Sequence, residues 1–367
     1  MEWLANQFEL SRGSAGHNVR AMEGMRGFAV FLVFLVHFVT LSSPWIAPGS
    51  AVSALAGAVH TIGNSGVDLF FVLSGYLIYG SLISREQPFL AFMRRRVVRI
   101  YPTFCVVFAT YLFLSAVHPS ESKIPAGAYQ ALIYTLQNFA LLPGIFPIVP
   151  MITVAWSLSY EMFFYLAVPA AIMLLDMRRR SPRWRVNAIL AIGTAIVVVC
   201  TAYGGPLRLI MFIAGMLLYE ALRNGKVAPP RNGVAPFALV AGLLLTAVPL
   251  SFPAAFTIKL LILAAAFFIT CYCCFRGQSP VLARAFSWTP LRWLGNMSYS
   301  YYLLHGLALK AAFSVLAHVM APMAQGSGLI ALLLPLMFVV TLIPSMALFI
   351  LVERPFSLKA APQLVTA

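Results

Sequence analysis

Residues 26–44 read RGFAVFLVFLVHFVTLSSP: an arginine, ten apolar or small residues, a histidine, and a polar stop at Ser42, Ser43 and Pro44. At about 1.5 Å per residue, 27–44 makes a helix of roughly 27 Å. That is close to the roughly 30 Å of hydrocarbon a spanning helix must cross. The same reading extends along the chain, which is 61% hydrophobic and only 10% charged over 367 residues, a composition of membrane proteins rather than soluble domains. Only helices and closed barrels satisfy their backbone in lipid, and these runs have helical length. We therefore expect an all-α polytopic membrane bundle of about ten transmembrane helices, at 27–44, 62–84, 100–117, 156–176, 187–203, 206–222, 236–251, 254–274, 294–316 and 328–352.

Charge sets the orientation. Lys and Arg number 25 against 10 Asp and Glu, a formal charge of +15. The basic residues punctuate apolar runs, which marks topology and excludes nucleic acid as the partner. With the N-terminus in the cytoplasm, 21 of the 25 fall on the inner side: Arg12, Arg20, Arg26, the Arg85–Arg99 and Arg178–Arg185 clusters, Arg223, Lys226, Arg231, Arg276, Arg284, Arg292, Arg354 and Lys359. Both termini are then cytoplasmic, with a leading segment 1–26, a transmembrane domain 27–355 and a tail 356–367. The leader is too long and the first span too polar for a removed signal peptide. Residues 127–150 are broken by Pro143, Gly144, Pro147 and Pro150. A crossing there would deliver Arg178, Arg179 and Arg180 outside, so the stretch is read as an interfacial or re-entrant element of the outer face. The five cysteines lie in apolar runs as small hydrophobes. Cys271, Cys273 and Cys274 have no adjacent His or acid, so no metal is expected.

Ionisable groups in a spanning helix cost roughly 2.5–3.5 kcal/mol on insertion scales, so each asks for a partner or a task. Arg26 and His37 are eleven residues apart, close to three full turns, and share one helix face with a rise of about 16 Å. Counting from expected span ends puts Asp68 and Glu161 near the depth of His37, with His305 near mid-membrane. Ser298, Tyr302 and His305 follow i, i+4, i+7 spacing on one face. A lone intramembrane His is often only a satisfied interhelical hydrogen bond, Asp68 or Glu161 could simply pair with an arginine, and an arginine cluster commonly marks topology or anionic lipid.

The residues Arg26-Gly27 with His37, Gly66-Val67-Asp68-Leu69-Phe70-Phe71 through Ser74-Gly75-Tyr76, Arg96-Val97-Val98-Arg99-Ile100-Tyr101-Pro102, Trp156-Ser157-Leu158 with Glu161, Leu294-Gly295-Asn296-Met297-Ser298-Tyr299 with Tyr302 to His305, and Glu353-Arg354-Pro355 resemble the acyltransferase 3 family. The resemblance covers nearly the whole chain in order. It implies a multi-pass enzyme of the bacterial inner membrane that acylates, usually acetylates, hydroxyls of carbohydrates bound for the cell surface. It also implies that Arg26 and His37 are the essential pair. Some members carry an added periplasmic hydrolase domain; none follows here, so a second catalytic unit would be a separate periplasmic partner, or the chain a homo-oligomer.

On that basis we expect acetyl-CoA as the donor substrate, with no tightly bound cofactor, and a glycan or glycolipid acceptor within membrane lipid. Planar guanidinium groups suit phosphate, so Arg96 and Arg99, with Arg26, Arg94 and Arg95, are expected to hold the nucleotide. His37 is expected to act as base or acyl relay, with Asp68 or Glu161 orienting it. Ser298, Tyr302, His305 or Asn296 are expected to contact substrate or donate to an oxyanion. The competing reading is a proton-coupled transporter or flippase using the same buried residues.

Overall fold

The structure, a computed structural model, describes residues 2–10, 17–225, 233–277, 279–323 and 327–358. Arg12, Lys226, Arg231 and Lys359 of the charge reading lie outside the described residues. The described chain is mainly helical, and no strand is found among the described residues. A short α1 (Glu2–Phe8) precedes α2 (His17–Ser42), α3 (Ala51–Gly63), α4 (Ser65–Ser84), α5 (Phe89–Val117), α6 (Ala128–Phe139), α7 (Trp156–Leu174) and α8 (Pro182–Tyr203). Then follow α9 (Ile210–Asn224), α10 (Val234–Ala247), α11 (Ala255–Phe275), α12 (Pro280–Phe286), α13 (Thr289–Asn296), α14 (Ser298–Val319), α15 (Ser327–Leu348) and a π-helical close, Phe349–Leu358.

All ten expected spans are helical. Among the described residues, eight stretches are long and apolar enough to cross a membrane. The other two, α9 with 15 residues and α10 with 14, are short for a full crossing. One boundary differs. The second span begins at Ala51 rather than 62: α3 is capped at its start by the Ser50 hydroxyl, which accepts the Ser53 N–H at 3.1 Å, and α3 and α4 form a 34-residue stretch. The 127–150 segment holds the 12-residue α6, whose last residue, Phe139, lies against Tyr101, Phe104 and Phe108 of α5. The chain then reverses at Leu141, φ +55°. Asn138 clamps the return through the Met151 N–H at 2.6 Å.

Lipid tails give little hydrophobic drive between helices, so close backbone approach and buried polar contacts hold such bundles. α4 and α9 meet at Gly75 and Gly215, where a methyl added to Gly215 would lie 2.1 Å from the Val72 carbonyl oxygen. Nearby, Arg185 of α8 grips Glu220 of α9 with Nε at 2.6 Å and Nη2 at 2.9 Å, and the Tyr79 hydroxyl donates to the same carboxylate at 2.6 Å. Arg292 of α13 reaches Glu23 of α2 at 2.9 Å and also Glu9 beyond α1. Between α8, α9 and α11 lies a groove of about 930 Å³ walled by Leu190, Val197, Ile213, Leu217, Ala264 and Phe268; it carries no acid–base chemistry.

Gly215→Ala is expected to force α4 and α9 apart and cost about 1–3 kcal/mol, read as a lower melting temperature in detergent. Gly57→Ala in α3, where an added methyl meets nothing within 4 Å, is expected to be neutral or slightly stabilising.

Candidate active site

α2 and α14 lie side by side and run parallel, and the sequence marks two levels at which they touch. At the first, Arg26 donates from Nη2 to the Ser298 hydroxyl at 3.0 Å. Eleven residues on along α2 and seven along α14, the rings of His37 and His305 stand edge to face with centroids 5.0 Å apart. His37 is half-buried and His305 fully buried. The shared face read from Arg26 and His37 therefore turns inward, toward α14.

At the Arg26 level is a cavity of about 170 Å³ lined by Arg26, Arg96, Arg99, Ser74, Glu161 and Ser298, with Tyr165, Tyr299, Tyr302 and apolar side chains completing the wall. On α5, Phe92, Arg96, Arg99, Ile100 and Thr103 share the bundle-facing side at i, i+3, i+4 spacing. Arg94 and Arg95, about 200° and 100° around the helix from Arg96, are exposed. Of the four α5 arginines expected on the donor, only the Arg96–Arg99 pair thus converges with Arg26, and Arg95 bonds instead to Gln87. The Arg96 guanidinium lies over the rings of Phe92 and Tyr165, 5.1 and 5.5 Å from their centroids, and its buried Nε has no hydrogen-bond partner. Arg99 pairs with Glu353 at 2.7 Å. Glu161 takes two hydroxyls on Oε1, Ser74 at 3.0 Å and Tyr165 at 2.5 Å. Three guanidiniums face one lining carboxylate, with Glu353 behind Arg99. Such a site favours an anion.

The two carboxylates expected beside His37 lie elsewhere. Gly63 packs on Leu32 and Val36 of α2, and Gly66 on Ala29 and Leu32. This antiparallel register puts Asp68 about two helical turns nearer the Arg26 level than His37. The depth count failed because the helix starts at Ala51, eleven residues before the assumed edge. Asp68 is committed to Arg208 at 2.6 Å. Glu161 is displaced as well, although α7 begins at the expected Trp156. The return from α6 carries the chain inward before α7 begins, so Trp156 already lies against Phe71 and Glu161, further along, faces the arginines. Asn296 is not at the cavity either: its Nδ2 donates to the Phe8 carbonyl at 2.8 Å, fastening α1. Ser298 and Tyr302 do line the cavity. The Tyr302 hydroxyl donates to the Val154 carbonyl at 3.0 Å and lies 2.7 Å from the Ser157 hydroxyl. His305 sits beyond Tyr302, outside the lining, with ring centroids 6.2 Å apart.

Glu353, part of the closing Glu353-Arg354-Pro355 motif, was given no role at the site by the sequence reading. It is fully buried, and besides Arg99 it accepts the Ser300 N–H at 3.0 Å and the Ser300 hydroxyl at 2.6 Å. It therefore caps one of the free N–H groups of the first turn of α14. A single acid at the end of the most apolar run was the available signal, since an intramembrane carboxylate needs a cation. Ser157 and Tyr165 lie in or beside the Trp156-Ser157-Leu158 motif, but nothing in their spacing pointed to the cavity.

The sequence pattern of the acyltransferase domain family Acyl_transf_3 matches residues 19–354, from the start of α2 through Glu353 and Arg354. The chain belongs to this acyltransferase family. It is similar to the exopolysaccharide production protein ExoZ of Rhizobium meliloti, 28% identical over 85% of this chain and 95% of the relative. It also resembles the acyltransferase MdmB of Streptomyces mycarofaciens, 28% identical over 69% of this chain and 70% of that protein. A third relative is the peptidoglycan O-acetyltransferase OatA of Listeria monocytogenes, 25% identical over 66% of this chain and 44% of OatA. No solved structure matches the chain. The protein is a multi-pass membrane acyltransferase.

Glu353→Gln removes the charge opposite Arg99 and is expected to cost about 3 kcal/mol, seen as earlier thermal unfolding. Asp176→Asn, whose pair with Arg179 is solvent-exposed on both sides, is expected to change stability by less than about 1 kcal/mol.

Proposed function

We propose that the chain transfers an acetyl group from cytoplasmic acetyl-CoA to a hydroxyl of an exported or cell-surface glycan, in a bacterial inner membrane, with the arginine-rich end of the bundle facing the cytoplasm. The observation that carries this reading is the convergence of Arg26, Arg96 and Arg99 on one cavity, with His37 eleven residues beyond Arg26 on the same face of α2. A phosphorylated donor needs paired guanidiniums at one end of its path, and acyl transfer to a poor nucleophile needs a base at the other. The relatives named for exopolysaccharide production and peptidoglycan O-acetylation support a polysaccharide acceptor.

In this reading Arg96 and Arg99 hold donor phosphate at the cavity mouth. Arg26, steadied by Ser298, guides the thioester end inward, and Glu161, held by Ser74 and Tyr165, balances the cationic wall. The cavity of about 170 Å³ takes the acyl end of the donor rather than its nucleotide. Tyr302 lines the cavity on the side toward His305, and the acceptor approaches the half-buried His37 imidazole from the opposite end. His37 removes the acceptor hydroxyl proton as the oxygen attacks the thioester carbonyl. The carbon–sulfur bond breaks, and CoA leaves as the thiol once its sulfur regains a proton.

His37→Ala is expected to abolish transfer of labelled acetyl from acetyl-CoA to surface polysaccharide in membrane vesicles while the protein inserts at normal levels. Near-normal O-acetylation by this variant would remove the base assignment. Arg96→Ala, which breaks no ion pair, is expected to raise the donor KM about ten- to hundredfold, the loss of one charged hydrogen bond; an unchanged donor dependence would reduce Arg96 to packing.

A further inference from the structure

His37 needs a partner to fix which ring nitrogen carries its proton, and both carboxylates that could do so are engaged elsewhere. Asp68 belongs to Arg208, and Glu161 to Ser74 and Tyr165. What faces His37 is His305. The Nδ1 of His305 lies 2.9 Å from the Tyr301 carbonyl oxygen. A carbonyl can only accept, so Nδ1 carries the proton and Nε2 presents a lone pair. That Nε2 is buried and has no hydrogen-bond partner, a situation that costs about 1–3 kcal/mol and calls for an explanation. The ring is held in place: it stacks on Tyr301 with centroids 5.4 Å apart and planes 4° from parallel. Tyr301 is itself bonded to Thr341 of α15 at 2.8 Å. The remaining titratable neighbour of His37 is His60 of α3, which lies at the same level by the α2–α3 register.

We propose that His305 is the positioning residue of His37. Its fixed Nε2 accepts, through one bridging water, from the N–H of the His37 ring, and so leaves the opposite ring nitrogen of His37 free to take the acceptor proton. This rests on the reading of His37 as base. In serine-hydrolase triads an anionic carboxylate holds the imidazole; here the orienting group is a neutral imidazole, itself set by a backbone carbonyl one helical turn back. A neutral acceptor carries no ionic charge into the bilayer, where a second carboxylate would need its own cation.

The test uses the full chain in membrane vesicles with labelled acetyl-CoA, its surface polysaccharide as acceptor, and three variants. His305→Phe keeps the ring volume and removes the acceptor; it is expected to lower kcat about a hundredfold, the cost of a misplaced catalytic group, with the donor KM unchanged. His305→Gln, whose side-chain oxygen can replace the Nε2 lone pair, is expected to recover most of that loss. The acid limb of the kcat–pH profile is expected to move in His305→Gln relative to the native chain. Wild-type kcat and pH profile in His305→Phe, with His37→Ala inactive, would overturn the positioning role and leave His37 as base. Activity in His37→Ala would instead overturn the base assignment and this proposal with it. Equal losses in both His305 variants, with equally lowered melting temperatures, would mark a packing role and also overturn the proposal.

Discussion

The structure depends on how a bundle in hydrocarbon disposes of its arginines. A charge in this solvent persists only with a partner, and the partners here decide which helices adjoin. Glu353 is the clearest instance. One carboxylate meets Arg99 of α5 and the first turn of α14, so the end of the chain fixes both the guanidinium at the cavity and the helix that carries Ser298, Tyr302 and His305. Arg185–Glu220 and Arg208–Asp68 perform the same task for α8, α9 and α4. Glu161 stands apart because its oxygen is met by hydroxyls. Its charge is thus shared with the arginine-lined cavity rather than neutralised by one of them.

Much of the architecture was legible in the sequence because membrane crossing imposes a length and a composition, and every expected span is a helix. The inward face of α2 was legible for a similar reason, since eleven residues is nearly a whole number of turns. The i, i+3 spacing of Arg96 and Arg99 likewise gave their common side, although spacing alone did not separate them from the outward Arg94 and Arg95.

Depth and pairing were not legible. Depth was counted from assumed helix ends; one of those ends moved, and another sits deeper than assumed. Ala51–Gly63, rich in small residues, was not read as helix, and the return from α6 delivered α7 already inside the bundle. Each displacement shifted a carboxylate by turns, taking Asp68 and Glu161 away from His37. Pairing fails for another reason: Arg99 and Glu353 are 254 residues apart in sequence, and a single chain holds no signal of which distant charge meets which. Asn296 shows the same limit, since its partner is the Phe8 carbonyl of a helix that sequence reading treated only as a leader.

The paired contacts of α2 and α14 have a metrical consequence. Two helices pinned to each other at both Ser298 and His305 cannot slide without breaking both contacts, so the interval from guanidinium to imidazole is set by helical pitch rather than by side-chain posture. In the proposed reading this interval gauges the donor: a carrier whose reactive end hung on too short or too long a tether would be held by the same arginines yet present its acyl carbon at the wrong height, and would be refused by geometry instead of by affinity.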